Sequence, residues 1–229
     1  MRETVCFDKN WIFHKGDIEP HLDREKAIVY YEAKTERALR GPASRNYDTS
    51  WTGSENWQCV DLPHDYVIEE PPCRENNEGL GFFDYHNAWY IKKFKLNDGD
   101  KKKRITLLFE GVATHATVYL NGCLMKRNFS GYSEFEVDIT DVLDFENENT
   151  LAVYVSTEQH EGWWYEGGGI YRHVWLTKTD LVRIDLYGIY ANPKRLDGNR
   201  WLVSTELTVR NGHYENKRVD ATLEIKDKC

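Results

Sequence analysis

From about residue 87 onward the chain runs in short stretches where apolar and polar residues alternate, the period of a strand with one buried and one wetted face. Ile105, Leu107 and Phe109 share one face of the segment 105–110, and Ala116, Val118 and Leu120 form the inward set of 116–120. Asn121-Gly122 follows. This dipeptide favours the positive φ angles of a type I′ turn, so Cys123-Leu124-Met125 is predicted to fold back on the strand before it. Phe135, Val137 and Ile139 alternate with Glu134, Glu136 and Asp138, and Leu151, Val153 and Val155 repeat the pattern. Residues 138–143 suit one helical turn, capped by Asp138 or Thr140, that carries the chain between sheets. Many short strands with few helices predict an all-β sandwich or jelly roll.

The first 86 residues are less regular. Residues 24–40 have the composition of a short helix but poor apolar spacing, and the competing expectation is an ordered excursion decorating the sandwich. Pro71-Pro72 and the polar run 74–79 mark a surface loop, since paired prolines stop both helix and central strand. A second unit is predicted to begin near Leu181, with strands at 185–190 and 202–209, a turn over 192–198, a second turn at Asn211-Gly212 and a further strand at 221–225. These are about three strands where an immunoglobulin-like sandwich needs about seven. The expected division is therefore a jelly-roll domain over 1–180 and an incomplete immunoglobulin-like sandwich over 181–229.

With 40% apolar residues in 229, the chain can supply a core, and its net charge of −8 argues against a nucleic-acid partner, which needs a cationic face. The one basic run, Lys101-Lys102-Lys103-Arg104, is expected to be a solvated turn before a strand, its lysines guarding an exposed edge. There is no run of about 18 apolar residues and no apolar signal core at the amino terminus, so neither a membrane partner nor export is expected. Five cysteines without a CxxC pair suggest free thiols in a reducing cytoplasm, with no zinc site, and no cofactor is implied.

The chemistry concentrates in Trp163-Trp164-Tyr165-Glu166-Gly167-Gly168-Gly169-Ile170-Tyr171-Arg172-His173-Val174-Trp175-Leu176. Aromatic faces stack on sugar rings and glycines let the backbone approach closely, so Trp163, Trp164 and Tyr165 are candidates for contact with a sugar or with another domain. Glu158, Glu161 and Glu166 flank the rings as charge-assisted acceptors for a sugar hydroxyl. Trp175 is assigned to the core or a domain interface, Arg172 to a structural pairing with a carboxylate or backbone carbonyls, and His64-Asp65 to a turn that organises the loop after Pro63. Asn77-Glu78 and Asn147-Glu148 sit in polar loops and read as solvated carboxylates, and no catalytic residue is assigned.

Five segments in order carry a family resemblance: Asn10-Trp11-Ile12-Phe13, Asp61-Leu62-Pro63-His64-Asp65-Tyr66, Trp89-Tyr90-Ile91-Lys92-Lys93-Phe94, the stretch from Phe109 to Gly122, and Gly169-Ile170-Tyr171-Arg172. The chain resembles the amino-terminal part of glycoside hydrolase family 2, with Tyr66 where the family's Leu-Pro-His-Asp-Trp element ends in Trp. The resemblance implies a jelly-roll sugar-binding domain, an immunoglobulin-like sandwich and then a TIM barrel, absent here, that holds the catalytic carboxylates. It implies a retaining exo-glycosidase acting on a β-linked terminal sugar, with β-galactoside first and β-glucuronide or β-mannoside as alternatives. Such chemistry needs two carboxyl groups about 5 to 5.5 Å apart on a rigid frame, so this piece is expected to be inactive by itself. The implied partners are a carbohydrate substrate, the chain's own barrel and further copies in a homo-oligomer. In β-galactosidases an acidic residue a few positions before Gly-Ile-Tyr/Phe-Arg lines the sugar subsite. Trp163 stands at that position here, which leaves Glu161 or Glu166 as substitutes. A stand-alone carbohydrate-binding or assembly module is the competing class.

Overall fold

The alternating segments become strands: β1 (Glu3–Cys6), β2 (Trp11–Lys15), β3 (His21–Leu22), β4 (Leu39–Arg40), β5 (Trp57–Val60), β6 (Ala88–Phe94), β7 (Arg104–Phe109), β8 (His115–Leu120), β9 (Cys123–Asn128), β10 (Phe135–Asp138), β11 (Asn149–Ser156), β12 (Val174–Thr179), β13 (Val182–Arg195) and β14 (Trp201–Asn211). They are seen in a computed structural model that describes residues 2–18, 21–22, 39–45, 47, 56–158 and 160–226. Among these residues the chain is all-β apart from single 3₁₀ turns, and no helix is long and apolar enough to cross a membrane.

Residues 3–178 form one compact unit. A four-stranded sheet in the order β1-β12-β7-β10 faces a six-stranded sheet in the order β5-β2-β6-β11-β8-β9. Their inner faces share one core, with Trp11, Phe13, Tyr90, Val118 and Val153 from the larger sheet against Ile105, Leu107, Phe109, Val137 and Leu176 from the smaller. Each such side chain removed from water contributes about 1.5–3 kcal/mol, which is why the period-two pattern dictates which face turns inward. The rings of Phe109 and Phe135, paired across β7 and β10, stack with centroids 5.0 Å apart.

The hairpin expected at Asn121-Gly122 is present, with φ of 50° and 87° at those residues and Leu120 opposite Cys123. Asn121 also clamps the neighbouring strand: its side-chain oxygen accepts from the Thr150 amide at 3.0 Å, and its amide nitrogen donates to Val142 O at 2.9 Å. The turn between sheets is a 3₁₀ turn, Thr140–Val142, whose cap position is the buried Ile139, without a side-chain cap bond. Asp138 stands one residue earlier and accepts from the Thr140 amide and hydroxyl, so the expected capping by Asp138 or Thr140 is replaced by a local Asp138–Thr140 turn.

Other expectations are corrected. The basic run does not guard an edge, because β7 lies inside its sheet between β12 and β10; Lys101 pairs with Asp98 and Arg104 with Asp138. Residues 24–40, for which a short helix and an ordered excursion were the competing expectations, lie outside the described residues apart from Leu39 and Arg40 in β4, so neither expectation is among those corrected. Residues 41–45 and 47 reach the outer face of the larger sheet, where Tyr47 packs with Ile91 and Ala152.

The second unit, residues 179–226 with Arg2, is built on the β13–β14 ribbon. Its first strand continues through Asn192-Pro193-Lys194-Arg195, where a turn was expected, and the turn is confined to 196–200. Proline is tolerated there because both strands of a two-stranded ribbon are edges, so a missing N–H can face outward. The strand expected at 221–225 does not form, since strand propensity needs a partner ladder. Ala221, Thr222 and Leu223 instead line a groove of about 520 Å³ with Ile184, Ile189, Leu207 and Val209 of the ribbon.

Candidate functional site

Between β11 and β12 the chain leaves the sandwich for residues 157–173, which contain all the aromatic and acidic candidates. Segment 64–66 fixes the far side of this loop. The His64 amide donates to Ile170 O at 2.9 Å, the Tyr66 amide to Gly168 O at 3.0 Å, and Ala113 and Gly169 exchange both backbone bonds. Asp65 supplies the side-chain anchor: Oδ1 accepts from the Val67 and Gly168 amides at 3.1 and 3.0 Å, and Oδ2 from the Tyr165 hydroxyl at 2.8 Å. The glycines are demanded by this approach. A Cβ at Gly167 would lie 2.6 Å from Asp65 Oδ2, and one at Gly169, whose φ is +125°, would lie 2.5 Å from His64 O.

His64 and Tyr90 form the floor, with Nδ1 and the phenol oxygen 2.7 Å apart in the core. Burial holds His64 below its ordinary pKa, against the pull of Glu69, whose carboxylate is 3.2 Å from Nε2. Tyr165 is raised, first by burial and then by its bond to Asp65. The pairing predicted for His64-Asp65 as a turn organiser therefore holds, and extends a hundred residues along the chain.

Against this anchored base the three rings divide. Tyr165 turns inward beside Phe83 and Tyr85, whereas Trp163 is 84% exposed and Trp164 49% exposed. The acidic candidates divide too. Glu166 is structural: its side chain is 1% exposed, 3.5 Å from His160, and one oxygen accepts from the Glu161 amide at 2.7 Å. Glu161 is exposed and accepts from the Gly131 amide at 2.5 Å, tying the aromatic loop to the β9–β10 loop. Glu158 accepts from Asn87 at 3.0 Å. Glu78, in the 3₁₀ turn Glu78–Leu80, and Glu148 are exposed loop carboxylates.

Residues 169–173 lead into β12, which starts at Val174. Of the two places expected for Trp175, the core is ruled out: it is half-buried on the outer side between the buried Val174 and Leu176 and donates to Glu110 at 2.7 Å, because strand alternation sends it opposite to its neighbours. Arg172 has no ion pair among the described residues and lies 5.4 Å from the centre of the Tyr171 ring. His173 takes the charged partner, Asp8, at 2.7 Å.

The β9–β10 loop was not anticipated. Tyr171 donates to Gly131 O at 2.7 Å, and Trp164 Nε1 donates to the Tyr132 hydroxyl at 2.7 Å. The sequence signal was Gly131-Tyr132, an aromatic beside a glycine in a predicted loop, the same combination that marks residues 163–169. For metals, Glu70, Asp84 and His86 are the one grouping with ligand atoms within 4.8 Å among the described residues. Its carboxylates already face protein donors, Lys15 on Glu70 and His86 on Asp84.

Residues 45–167 match the family model described as glycosyl hydrolase 2 galactose-binding domain-like. The chain is 33% identical over 229 residues to the β-galactosidase BoGH2A of Bacteroides ovatus, covering 99% of this chain and 24% of that protein. It is 30% identical over 200 residues to a β-glucuronidase of Formosa agariphila, covering 75% of this chain and 20% of that protein. A crystal structure of a β-glycosidase from Bacteroides vulgatus superposes with a TM-score of 0.76 at 28% identity, covering 93% of this chain and 25% of that one. The chain thus spans about a quarter of the length of these relatives.

Proposed function

This chain belongs to the glycosyl hydrolase 2 galactose-binding domain-like family, and from that premise we propose that it is the amino-terminal, non-catalytic part of a retaining exo-β-glycosidase, a β-galactosidase. Residues 1–180 are its jelly-roll sugar-binding domain and 181–229 the opening of an immunoglobulin-like sandwich. The open apolar face of β13–β14 supports the second assignment, since Ile184, Ile189, Leu207 and Val209 lie on the side where a further sheet would close a core. The catalytic carboxylates belong to a TIM barrel, the chain's principal partner, and the whole enzyme is a homo-oligomer. Exposed free thiols at Cys6, Cys59, Cys73 and Cys123 suit a reducing cytoplasm.

The observation that carries this reading is the anchored aromatic loop, in which Glu161, Tyr165 and Gly168 are tied down while Trp163 and Trp164 stand open to solvent. Two rings and a carboxylate suit a ligand with apolar C–H faces and a rim of hydroxyls. Residues 157–167 hold three glutamates and no lysine or arginine, a field that disfavours a uronate carboxylate and supports a neutral galactoside over a glucuronide. The relative matched over nearly the whole chain carries the name β-galactosidase, which points the same way.

Tryptophan fluorescence followed during titration with galactose, glucose and glucuronate tests the reading. A saturable change with galactose, weaker with glucose and absent with glucuronate, is the expected result. Preference for glucuronate would move the assignment to a β-glucuronidase, and silence at tens of millimolar would remove the independent sugar site.

A further inference from the structure

We propose that Tyr132, on the loop between β9 and β10, is a specificity-determining residue that donates a hydrogen bond to a hydroxyl of a neutral sugar lying against Trp163 and Trp164. The proposal rests on the reading above that the aromatic loop faces carbohydrate. It adds to that reading a second wall, contributed by a part of the chain about 30 residues earlier.

The Tyr132 oxygen has one partner among the described side chains. The indole of Trp164 has a single proton and spends it on this oxygen at 2.7 Å. The phenol therefore acts as acceptor toward the protein, and its own proton has no acceptor among the described residues. Accepting a bond polarises a hydroxyl and makes it a better donor. Tyr132 is 48% exposed, similar to the 49% of Trp164, so the donor and the ring edge beside it are open together.

The loop that carries Tyr132 is held on both sides of Gly131. Gly131 is gripped through both its backbone groups, the carbonyl by the Tyr171 hydroxyl at 2.7 Å and the amide by Glu161 at 2.5 Å. Asn128 holds Ser130 O at 2.7 Å, and a Cβ at Gly131 would lie 3.4 Å from the Ala113 backbone. The tyrosine is thus set beside Trp164 by a loop that three hydrogen bonds hold, where an exposed aromatic on a free tip would cost conformational entropy on binding. An apolar ring face next to an oriented donor matches the amphipathic surface of a pyranose; a purely apolar partner would leave the donor unmatched.

The test uses the 229-residue chain with ¹⁵N-labelled tryptophan, titrated with methyl β-galactoside while the indole resonances are followed. Wild type is expected to show a saturable shift at Trp164, and Tyr132→Phe, which removes only the oxygen, to weaken binding about tenfold with an unchanged thermal midpoint. A deoxy-galactoside lacking the recognised hydroxyl is expected to show the same tenfold loss on wild type and no additional loss on the variant. Equal binding by wild type and Tyr132→Phe, with weakened binding by Trp163→Ala, overturns the assignment of Tyr132 and leaves the aromatic-loop reading standing. Absence of saturable binding to wild type overturns both.

Discussion

At the scale of single residues, the glycines and histidines around segment 64–67 separate positions that merely permit a turn from positions that define the loop. Gly16 and Gly169 both have positive φ, 97° and 125°, but a Cβ at Gly16 meets nothing within 4 Å whereas one at Gly169 lands 2.5 Å from His64 O. Gly16→Ala is expected to cost only the backbone strain, about 1 kcal/mol, and Gly169→Ala several kcal/mol or a loss of folding, as read by urea unfolding. His64 makes a second prediction. Burial depresses its folded pKa, so protons bind the unfolded chain first as pH drops below about 6.5. Stability contributed by the neutral ring is complete above that value and is lost as pH falls toward the folded pKa. His14, also depressed by burial, acts in the same direction, and His173, raised by its bond to Asp8, acts oppositely. The urea midpoint of wild type is expected to fall between pH 7.5 and 5.5, and His64→Gln to lessen that fall; a variant with an undiminished dependence would contradict the buried neutral histidine.

At the scale of elements, the β8–β9 hairpin shows how far a short motif reaches. Asn121-Gly122 was legible in the sequence because positive φ has a chemical signature, but the clamp that Asn121 makes on Thr150 and Val142 was not, since those partners are 29 and 21 residues away. If turn conformation were the whole role, Asn121→Gly would be neutral. The bonds to Thr150 and Val142 instead predict a loss of about 2–4 kcal/mol in chemical denaturation, from backbone groups left without partners in the interior. Strand faces were legible throughout the sandwich for the same reason, local periodicity. Neighbour relations were not: nothing within Lys101-Lys102-Lys103-Arg104 says that the strand after it is flanked on both sides. The candidate site was half legible. Trp163 and Trp164 were found from composition, whereas the grip of Glu161 on Gly131 and the Trp164–Tyr132 bond depend on a loop contributed from elsewhere, and the burial of Glu166 depends on how its own loop folds back on His160. Asp65 is the element's keystone, so Asp65→Ala is expected to speed proteolytic cleavage within 160–166 while the sandwich core keeps its protection from hydrogen exchange.

At the scale of the whole molecule, residues 3–178 are a closed sandwich with a shared core, and the β13–β14 ribbon carries an apolar face that no described strand covers. Membership of the glycosyl hydrolase 2 galactose-binding-like domains, together with a span of about a quarter of its relatives' length, supports the proposal that the chain is a sugar-facing wall for chemistry performed by a barrel. The measurement that tests this most directly is hydrolysis of nitrophenyl β-galactoside, β-glucuronide and β-mannoside by the product of the native reading frame, run beside the 229-residue chain. The account predicts no turnover by the 229 residues at any pH and β-galactoside hydrolysis by a longer product. Turnover by the 229-residue chain that vanishes with Glu166→Gln, or a native product without glycosidase activity, would contradict it.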